Sequence, residues 1–214
     1  MQEFDPLEMT DGLLLADILG DGNVRPAEKP IGVSARSFRR TAAKRTFQNL
    51  LKLKAAQAQI GRLPDPGETI HMVVAGDFRT WDLVPAMLSL KNLPIAELYL
   101  ATLSYNRDNL NELIDLVDAS QVGAVTMITS VFDRANDPDR FNHAKAEFDA
   151  RGQRLLAMRN HCKLILARFA DGTPYVSESS ANLRSHSTTE QIALTQDAGL
   201  FAFHQAWMEE AIRA

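Results

Sequence analysis

The sequence has few of the features that mark disulfide-rich or membrane-spanning proteins. Its 214 residues include one cysteine, Cys162, which excludes an internal disulfide framework and is compatible with a reducing compartment. The first residues are acidic, and no apolar stretch is long enough for a signal peptide or a membrane helix, so we expect neither. A cytoplasmic location is therefore expected. The length suits one substantial core, or a core with an arm.

Charge is unevenly distributed along the chain. Residues 29–62 contain nine Lys or Arg and no Asp or Glu, whereas the rest of the chain carries 14 basic and 27 acidic residues. A basic stretch on an acidic body has two interpretations. Five side chains could follow a nucleic-acid backbone: Arg36, Arg39, Arg40, Lys44 and Arg45. Alternatively, the stretch is a solvated helix face that docks on the acidic body of the same or a neighbouring subunit.

Proline and glycine divide the chain into three parts. Pro26 and Pro30 interrupt it before a segment from 34 to 60 that has no Gly or Pro and many good helix formers, so we predict one helix there. Gly61 and Pro64 end that helix. We therefore predict an acidic N-terminal segment at residues 1–30, a basic helical arm at 31–64 and a main domain at 65–214.

The main domain alternates short β-rich runs with helical segments, which is typical of an α/β sheet with helices on its faces. The apolar runs predict strands at 70–75, 97–103, 122–129, 154–158 and 191–195. Capping residues and helix formers predict helices at 80–90, 108–118, 138–151 and 197–212. The run at 122–129 is almost continuously apolar, so we expect its strand to be buried on both faces.

A β-hairpin is predicted directly after the fourth strand. The apolar run 164–167, the turn at Asp171-Gly172 and the extended segment 176–183 fit that geometry. Side chains two apart in a strand share a face, so we expect His161 and Lys163 to project together.

This arrangement suits chemistry on a phosphate. An imidazole can attack phosphorus or move a proton, and the neighbouring ammonium can neutralise charge on the non-bridging oxygens. Ser180 and Asn182, also two apart, can donate further hydrogen bonds. By the same alternation, Cys162 is expected to point to the opposite face, as a small buried apolar side chain.

These residues resemble the HKD signature of the phospholipase D superfamily. The matching positions are His161, Lys163, Ser180, Asn182 and Glu190. The superfamily commonly has Asp five residues after the Lys, where this chain has Arg168, and Gly before the Ser, where it has Ser179. Tyrosyl-DNA phosphodiesterases dispense with that Asp. The resemblance covers residues 67–214 and implies a mixed β-sheet flanked by helices on both faces.

The resemblance also implies a mechanism and a partner. The superfamily uses two histidines, and this chain has one copy of the motif, so we predict a homodimer resembling small bacterial endonucleases. His161 of one subunit would attack the phosphodiester, and its mate would protonate the leaving oxygen. Lys163 and Asn182 would hold the oxygens, Ser180 would add a hydrogen bond, and Glu190 would orient His161. No metal or cofactor is required.

Three function classes remain open. The first is a metal-independent phosphodiesterase acting on nucleic acid, which the basic arm and the lack of an interfacial apolar helix favour. The second is a catalytically degenerate nucleic-acid-binding protein, which Arg168 would suit. The third is a phospholipid phosphodiesterase.

The remaining histidines and two aromatic residues receive less specific interpretations. His71, His143, His186 and His204 lack metal-ligand spacing, although His186 lies four residues after Asn182 and could approach the phosphate. Phe203 and Trp207 are expected to pack in the core.

Overall fold

The structure is a computed structural model and describes residues 35–184 and 188–214, with side chains described from residue 48 onward. The predicted acidic segment, the side chains of Arg36, Arg39, Arg40, Lys44 and Arg45, and His186 therefore lie outside the described residues. The chain divides into two compact units, Met1–Lys44 and Arg45–Ala214, and the second of these contains the whole β-sheet.

Seven strands and six α-helices follow one another along the described chain. The helices are α1 (Ala35–Ile60), α2 (Leu83–Lys91), α3 (Arg107–Asp118), α4 (Val131–Asn136), α5 (Pro138–Ala150) and α6 (Ala198–Arg213). The strands are β1 (Thr69–Val74), β2 (Ile95–Ala101), β3 (Val122–Ser130), β4 (Arg154–Met158), β5 (Leu164–Phe169), β6 (Pro174–Ser179) and β7 (Glu190–Thr195). A 3-10 turn at Thr80–Asp82 precedes α2.

The strands form one mixed sheet in the order β1-β7-β6-β5-β2-β3-β4. Strands β2, β3 and β4 are parallel, and the other neighbouring pairs are antiparallel. As a result, the carboxyl ends of β2, β3, β4 and β6 and the amino ends of β5 and β7 lie at the same edge of the sheet. We call it the carboxyl edge, after the carboxyl ends of the parallel strands.

Both faces of the sheet are covered by helices. On one face, residues such as Leu100, Met127 and Ile165 form the larger core with Trp81 and Met87, joined by parts of α1, α3 and α5. On the other face, a smaller cluster packs under α6: Tyr99, Ile128, Leu164, Leu166, Val176, Phe201 and Met208. The predicted mixed α/β sheet with helices on both faces is confirmed.

The predicted elements are found with small displacements. Strand ends differ from the predicted ones by at most two residues, except that the second hairpin strand, predicted to extend to residue 183, ends at Ser179. Strand β4 has its predicted bounds. The hairpin of β5 and β6 is present, with Gly172 at a φ of 84° in its turn. Asn106 caps α3 by accepting from the backbone N–H of Asn109 at 2.8 Å. Helix α4 was not predicted.

Within residues 35–184 and 188–214, no helix combines the length and the apolar character needed to cross a lipid bilayer.

Candidate active site

Asn160 fixes the loop between β4 and β5 to the carboxyl edge of the sheet. Its side chain is buried, with 7% exposed, and its Nδ2 donates to the carbonyl of Thr102 at 3.1 Å and lies 3.4 Å from that of Ile128. Its Oδ1 accepts from the backbone N–H of Cys162 at 2.9 Å. One amide thus ties the loop to the ends of β2 and β3. The sequence contains this residue beside the motif, but no role was predicted for it.

His161 and Lys163 are brought together in this loop and not in a strand, because β5 begins at Leu164. The Nζ of Lys163 lies 2.9 Å from Nδ1 and 3.4 Å from Nε2 of His161, and it donates to the His161 carbonyl at 2.8 Å. An ammonium has only donors, so the ring nitrogen that faces it must be unprotonated. The predicted juxtaposition is present, but it arises in a loop and not from the alternation of side chains along a strand.

Lys163 also lies within electrostatic range of Glu190. Burial lowers the pKa of Lys163 below its ordinary value, and the Coulombic effects of Cys162 and Glu190 oppose this shift. The backbone carbonyl of Lys163 also accepts from the N–H of Ser179 at 3.1 Å. Lys163 is therefore coupled both to the imidazole and to the region where β6 ends.

Ser180 and Glu190 form a second part of the edge. The Ser180 hydroxyl donates to the Glu190 carboxylate and accepts from the N–H of Gln191 at 3.0 Å. The other oxygen of Glu190 accepts from the hydroxyl of Thr188 at 2.9 Å. Lys163 lies closest to Nδ1 of His161. The predicted orienting contact of Glu190 with His161 remains a prediction.

Asn182 is anchored by its oxygen. Its Oδ1 accepts from the N–H of Leu103 at 3.1 Å and lies 3.4 Å from the hydroxyl of Thr102. Among the described residues, no acceptor takes the hydrogens of its Nδ2. This orientation leaves the donor end of the amide for another group. Thr102 contacts both Asn160 and Asn182, and so connects the two loops that carry the predicted site residues.

A shallow open cleft of about 300 Å³ adjoins His161. It is lined by Leu103, Phe132, Arg159, Asn160 and His161. Phe132 and Arg159 follow the carboxyl ends of β3 and β4, and neither was predicted as a site residue. Strand ends that meet at one edge are the signal that could have found them.

Arg168, at the position where the superfamily commonly has Asp, lies away from this edge. Its Nε donates to Glu97 at 3.2 Å, and its guanidinium lies 4.2 Å from the ring centroid of Phe201. Arg168 is five residues along the chain from Lys163, which is about 16 Å in an extended strand. Arg168 therefore contributes to the packing under α6.

Two predictions about side-chain burial are wrong. Cys162 is exposed, because the loop containing it is not a strand and does not alternate between faces. Phe203 is 67% exposed on the outer side of α6, whereas Trp207 packs against the smaller core as predicted.

Three other histidines lie in varied surroundings. His71 is exposed on β1, and His143 lies 3.9 Å from Glu147 on α5. His204 contacts Glu178 at 3.2 Å through Nε2 and accepts from Trp207 at Nδ1. In the part of the chain that is described, no three His, Cys, Asp or Glu side chains are grouped as metal ligands.

No protein-family model matches the chain, and no curated protein matches it. Solved structures similar to it include the following three. One is a polyphosphate kinase from Porphyromonas gingivalis, with 16% identity, a TM-score of 0.43, and 60% of this chain and 23% of that one covered. Another is a phosphatidylserine synthase from Haemophilus influenzae Rd KW20, with 10% identity, a TM-score of 0.46, and 75% and 41% covered. The third is a mutant of yeast tyrosyl-DNA phosphodiesterase, with 15% identity, a TM-score of 0.38, and 59% and 30% covered.

The described domain has the mixed, helix-flanked sheet that the resemblance to the phospholipase D superfamily implies. The chain spans less than half the length of each of these structures. At these identities and TM-scores the likeness carries no argument about the family or the activity of this chain.

Proposed function

We propose that this protein is a metal-independent phosphodiesterase that acts on nucleic acid through a phosphohistidine intermediate at a homodimer interface. The observation that carries the proposal is the contact between Lys163 and His161, 2.9 Å apart on a loop held by a buried amide. A neutral imidazole nitrogen is a competent nucleophile, and the adjacent ammonium is placed where phosphate oxygens would gather charge.

The first step transfers the phosphoryl group to the enzyme. A ring nitrogen of His161 forms a bond to phosphorus while the bond from phosphorus to the leaving oxygen breaks. The partner subunit's His161 gives its proton to that oxygen. In the structure, the ammonium of Lys163 contacts the ring nitrogen that would attack. A phosphate entering the site would draw this ammonium toward its own oxygens and so free the ring nitrogen.

The second step restores the enzyme. Water attacks the phosphohistidine, the partner subunit's His161 takes the proton from that water, and the phosphorus–nitrogen bond breaks. The donor end of Asn182 is proposed to hold a non-bridging oxygen throughout. Glu190 is proposed to balance the charge of Lys163 and to orient His161, and Ser180 to position Glu190 as well as to approach the substrate.

The homodimer can be tested by mixing subunits. If both histidines of a dimer are needed, a dimer of one wild-type and one His161→Ala chain is inactive. An equimolar mixture that has exchanged subunits should then lose about half of the activity per wild-type chain. The same mixture made with His143→Ala, whose side chain lies on α5, should keep full activity. A protein that sediments as a monomer at every usable concentration would contradict the proposal.

The substrate class is proposed from charge. The basic stretch with Arg36, Arg39, Arg40, Lys44 and Arg45 supports a nucleic-acid backbone as partner, and Arg159 adds a cation beside His161. Neither feature requires a membrane surface. Whether the arm contacts substrate or the other subunit is a separate question, which the salt dependence of binding by arm variants addresses.

The activity can be tested with plasmid, single-stranded DNA, RNA and a short-chain phosphatidyl substrate in the presence of EDTA. We expect cleavage of nucleic acid that is lost in His161→Ala and kept in His143→Ala. Salt-sensitive binding without cleavage in all three proteins would select the degenerate nucleic-acid-binding alternative. Cleavage of the phosphatidyl substrate alone would select a lipid enzyme, and cleavage that disappears on chelation would contradict the metal-independent mechanism.

A further inference from the structure

Phe132 is an exposed aromatic side chain on a fixed backbone beside the candidate nucleophile. It is 64% exposed and lines the same cleft as His161. Its backbone N–H donates to the hydroxyl of Ser130, the N-cap of α4, at 3.1 Å. The backbone that carries the phenyl ring is therefore fixed directly after the carboxyl end of β3. Leaving the ring in water has an unfavourable hydration cost that a ligand could remove.

Arg159 supplies a positive charge beside Phe132. It is exposed in the same cleft, and no described residue pairs with it. The neighbouring carboxylates of Asp133 and Asp137 are both paired with Arg140, at 2.7 and 3.2 Å. Burial raises the pKa of Asp133, and the charges of Arg140 and Arg184 oppose that shift, which places Arg184 within electrostatic range. These two acidic side chains therefore already have a cationic partner, whereas Arg159 has none among the described residues.

We infer that this cleft holds the nucleotide next to the scissile phosphate, with its base stacked on Phe132 and its own phosphate bound by Arg159. The inference rests on the proposed function and narrows its substrate class. Aromatic side chains stack on any base, and the arginine guanidinium matches phosphate geometry. The cleft's volume of about 300 Å³ lies at the lower limit of sites for small organic groups.

This arrangement selects an unpaired nucleotide. Bases inside a duplex are stacked on one another, so an external phenyl ring can stack only on a base that is splayed out. The preferred substrate is therefore single-stranded, or carries an unpaired segment.

The test measures binding apart from turnover, in full-length His161→Ala protein. The probe is a single-stranded DNA of about 12 nucleotides with one 2-aminopurine, whose fluorescence falls on stacking. Phe132→Ala should weaken binding about tenfold and abolish the additional quenching, whereas Phe132→Tyr should preserve both. An oligonucleotide that is abasic at the probed position should bind Phe132→Ala and its parent equally.

Arg159→Gln should weaken binding of the normal and the abasic oligonucleotide by the same factor. It should also lower the slope of log Kd against log salt concentration by about one. The matched controls are Phe203→Ala, an equally exposed ring on α6, and Arg213→Gln, whose Nε donates only to the Glu209 carbonyl at 3.1 Å. Neither control should change binding.

The inference is overturned if Phe132→Ala binds as tightly as Phe203→Ala, or if duplex DNA binds better and depends equally on Phe132. It is also overturned if Phe132→Ala loses affinity only for vesicles of anionic phospholipid. These outcomes are separate from a failure of the proposed function. Stacking without cleavage by the wild type would contradict the proposed phosphodiesterase activity and support the nucleotide site. Cleavage without stacking would support the activity and contradict the nucleotide site.

Discussion

Replacing Asn160 with alanine tests whether a buried amide positions the candidate nucleophile. The side chain makes two hydrogen bonds of good length, to the Thr102 carbonyl at 3.1 Å and from the Cys162 N–H at 2.9 Å, and a longer one to Ile128. Losing each good bond costs about 1–2 kcal/mol, including the cost of the buried group that is left without a partner. We therefore expect the free energy of unfolding to fall by about 2–4 kcal/mol.

Such a loss leaves the variant folded, because domains of this size have about 5–15 kcal/mol of stability. Any large fall in kcat must then come from geometry. A misplaced nucleophile can cost about a hundredfold in rate, so we expect kcat to fall at least tenfold with KM little changed. The assay is cleavage of bis(p-nitrophenyl) phosphate in EDTA, combined with urea unfolding. Hydrogen exchange at the Cys162 amide should accelerate in the same variant.

Two variants serve as controls for Asn160→Ala. Asp197→Ala removes the N-cap of α6, whose carboxylate accepts from the N–H of Leu200 at 2.9 Å, at the opposite edge of the sheet. It should cost about 1 kcal/mol of stability and leave kcat unchanged. Asn160→Asp keeps an acceptor for Cys162 but loses the donor, so it should resemble Asn160→Ala. The reasoning is refuted if Asn160→Ala is as stable as the wild type, or as active as Asp197→Ala.

Three further predictions concern the rest of the fold. The hydrogen bond from Arg154 lowers the pKa of Glu209 to about 2 from 4.5, so this pair stabilises the protein above about pH 4.5 and the contribution is lost as the pH falls toward 2. Arg154→Gln should accordingly destabilise the protein at pH 7 and have a much smaller effect at pH 2, as measured by urea unfolding at both values; an equal effect at both would contradict it. Arg168→Ala should lower the free energy of unfolding by about 1 kcal/mol and change kcat less than about twofold. A larger change in kcat would indicate that Arg168 acts in the candidate active site. Gly123→Ala would place a Cβ 2.7 Å from the Ala96 carbonyl oxygen, so thermal unfolding should show a loss of about 1–3 kcal/mol, and an unchanged melting temperature would show that the strands can separate at no cost.

The sequence predicted the sheet because its elements are locally encoded. The run at β4 and the hairpin turn at Gly172 depend on residues within a few positions of each other. The cap at Asn106 and the proline at the start of α5 do so as well. Helix α4 has only six residues and little periodicity, so its segment offered no comparable signal.

The site was predicted only in part, because its geometry depends on tertiary hydrogen bonds. His161 and Lys163 are adjacent because the lysine folds back on the loop, and alternation along a strand plays no part. The same alternation wrongly assigned Cys162 to the interior. Phe203 shows a different limit. The spacing of apolar residues along α6 identifies which face of the helix is buried. It does not predict how much of that face the sheet covers.

Thr102 contacts both loops that carry the predicted site residues at the carboxyl edge, so we expect the two loops to behave as one unit. Its carbonyl accepts from Asn160, and its hydroxyl lies 3.4 Å from the oxygen of Asn182, so one residue at the end of β2 contacts both amides. Displacing either loop therefore disturbs the other. If His161 and Asn182 act on the same phosphate, the effects of Asn160→Ala and Asn182→Ala on kcat should be less than additive, because each substitution already loosens what the other removes. Fully additive effects would mean that the two loops serve separate purposes, and that this edge does not bind a single phosphate.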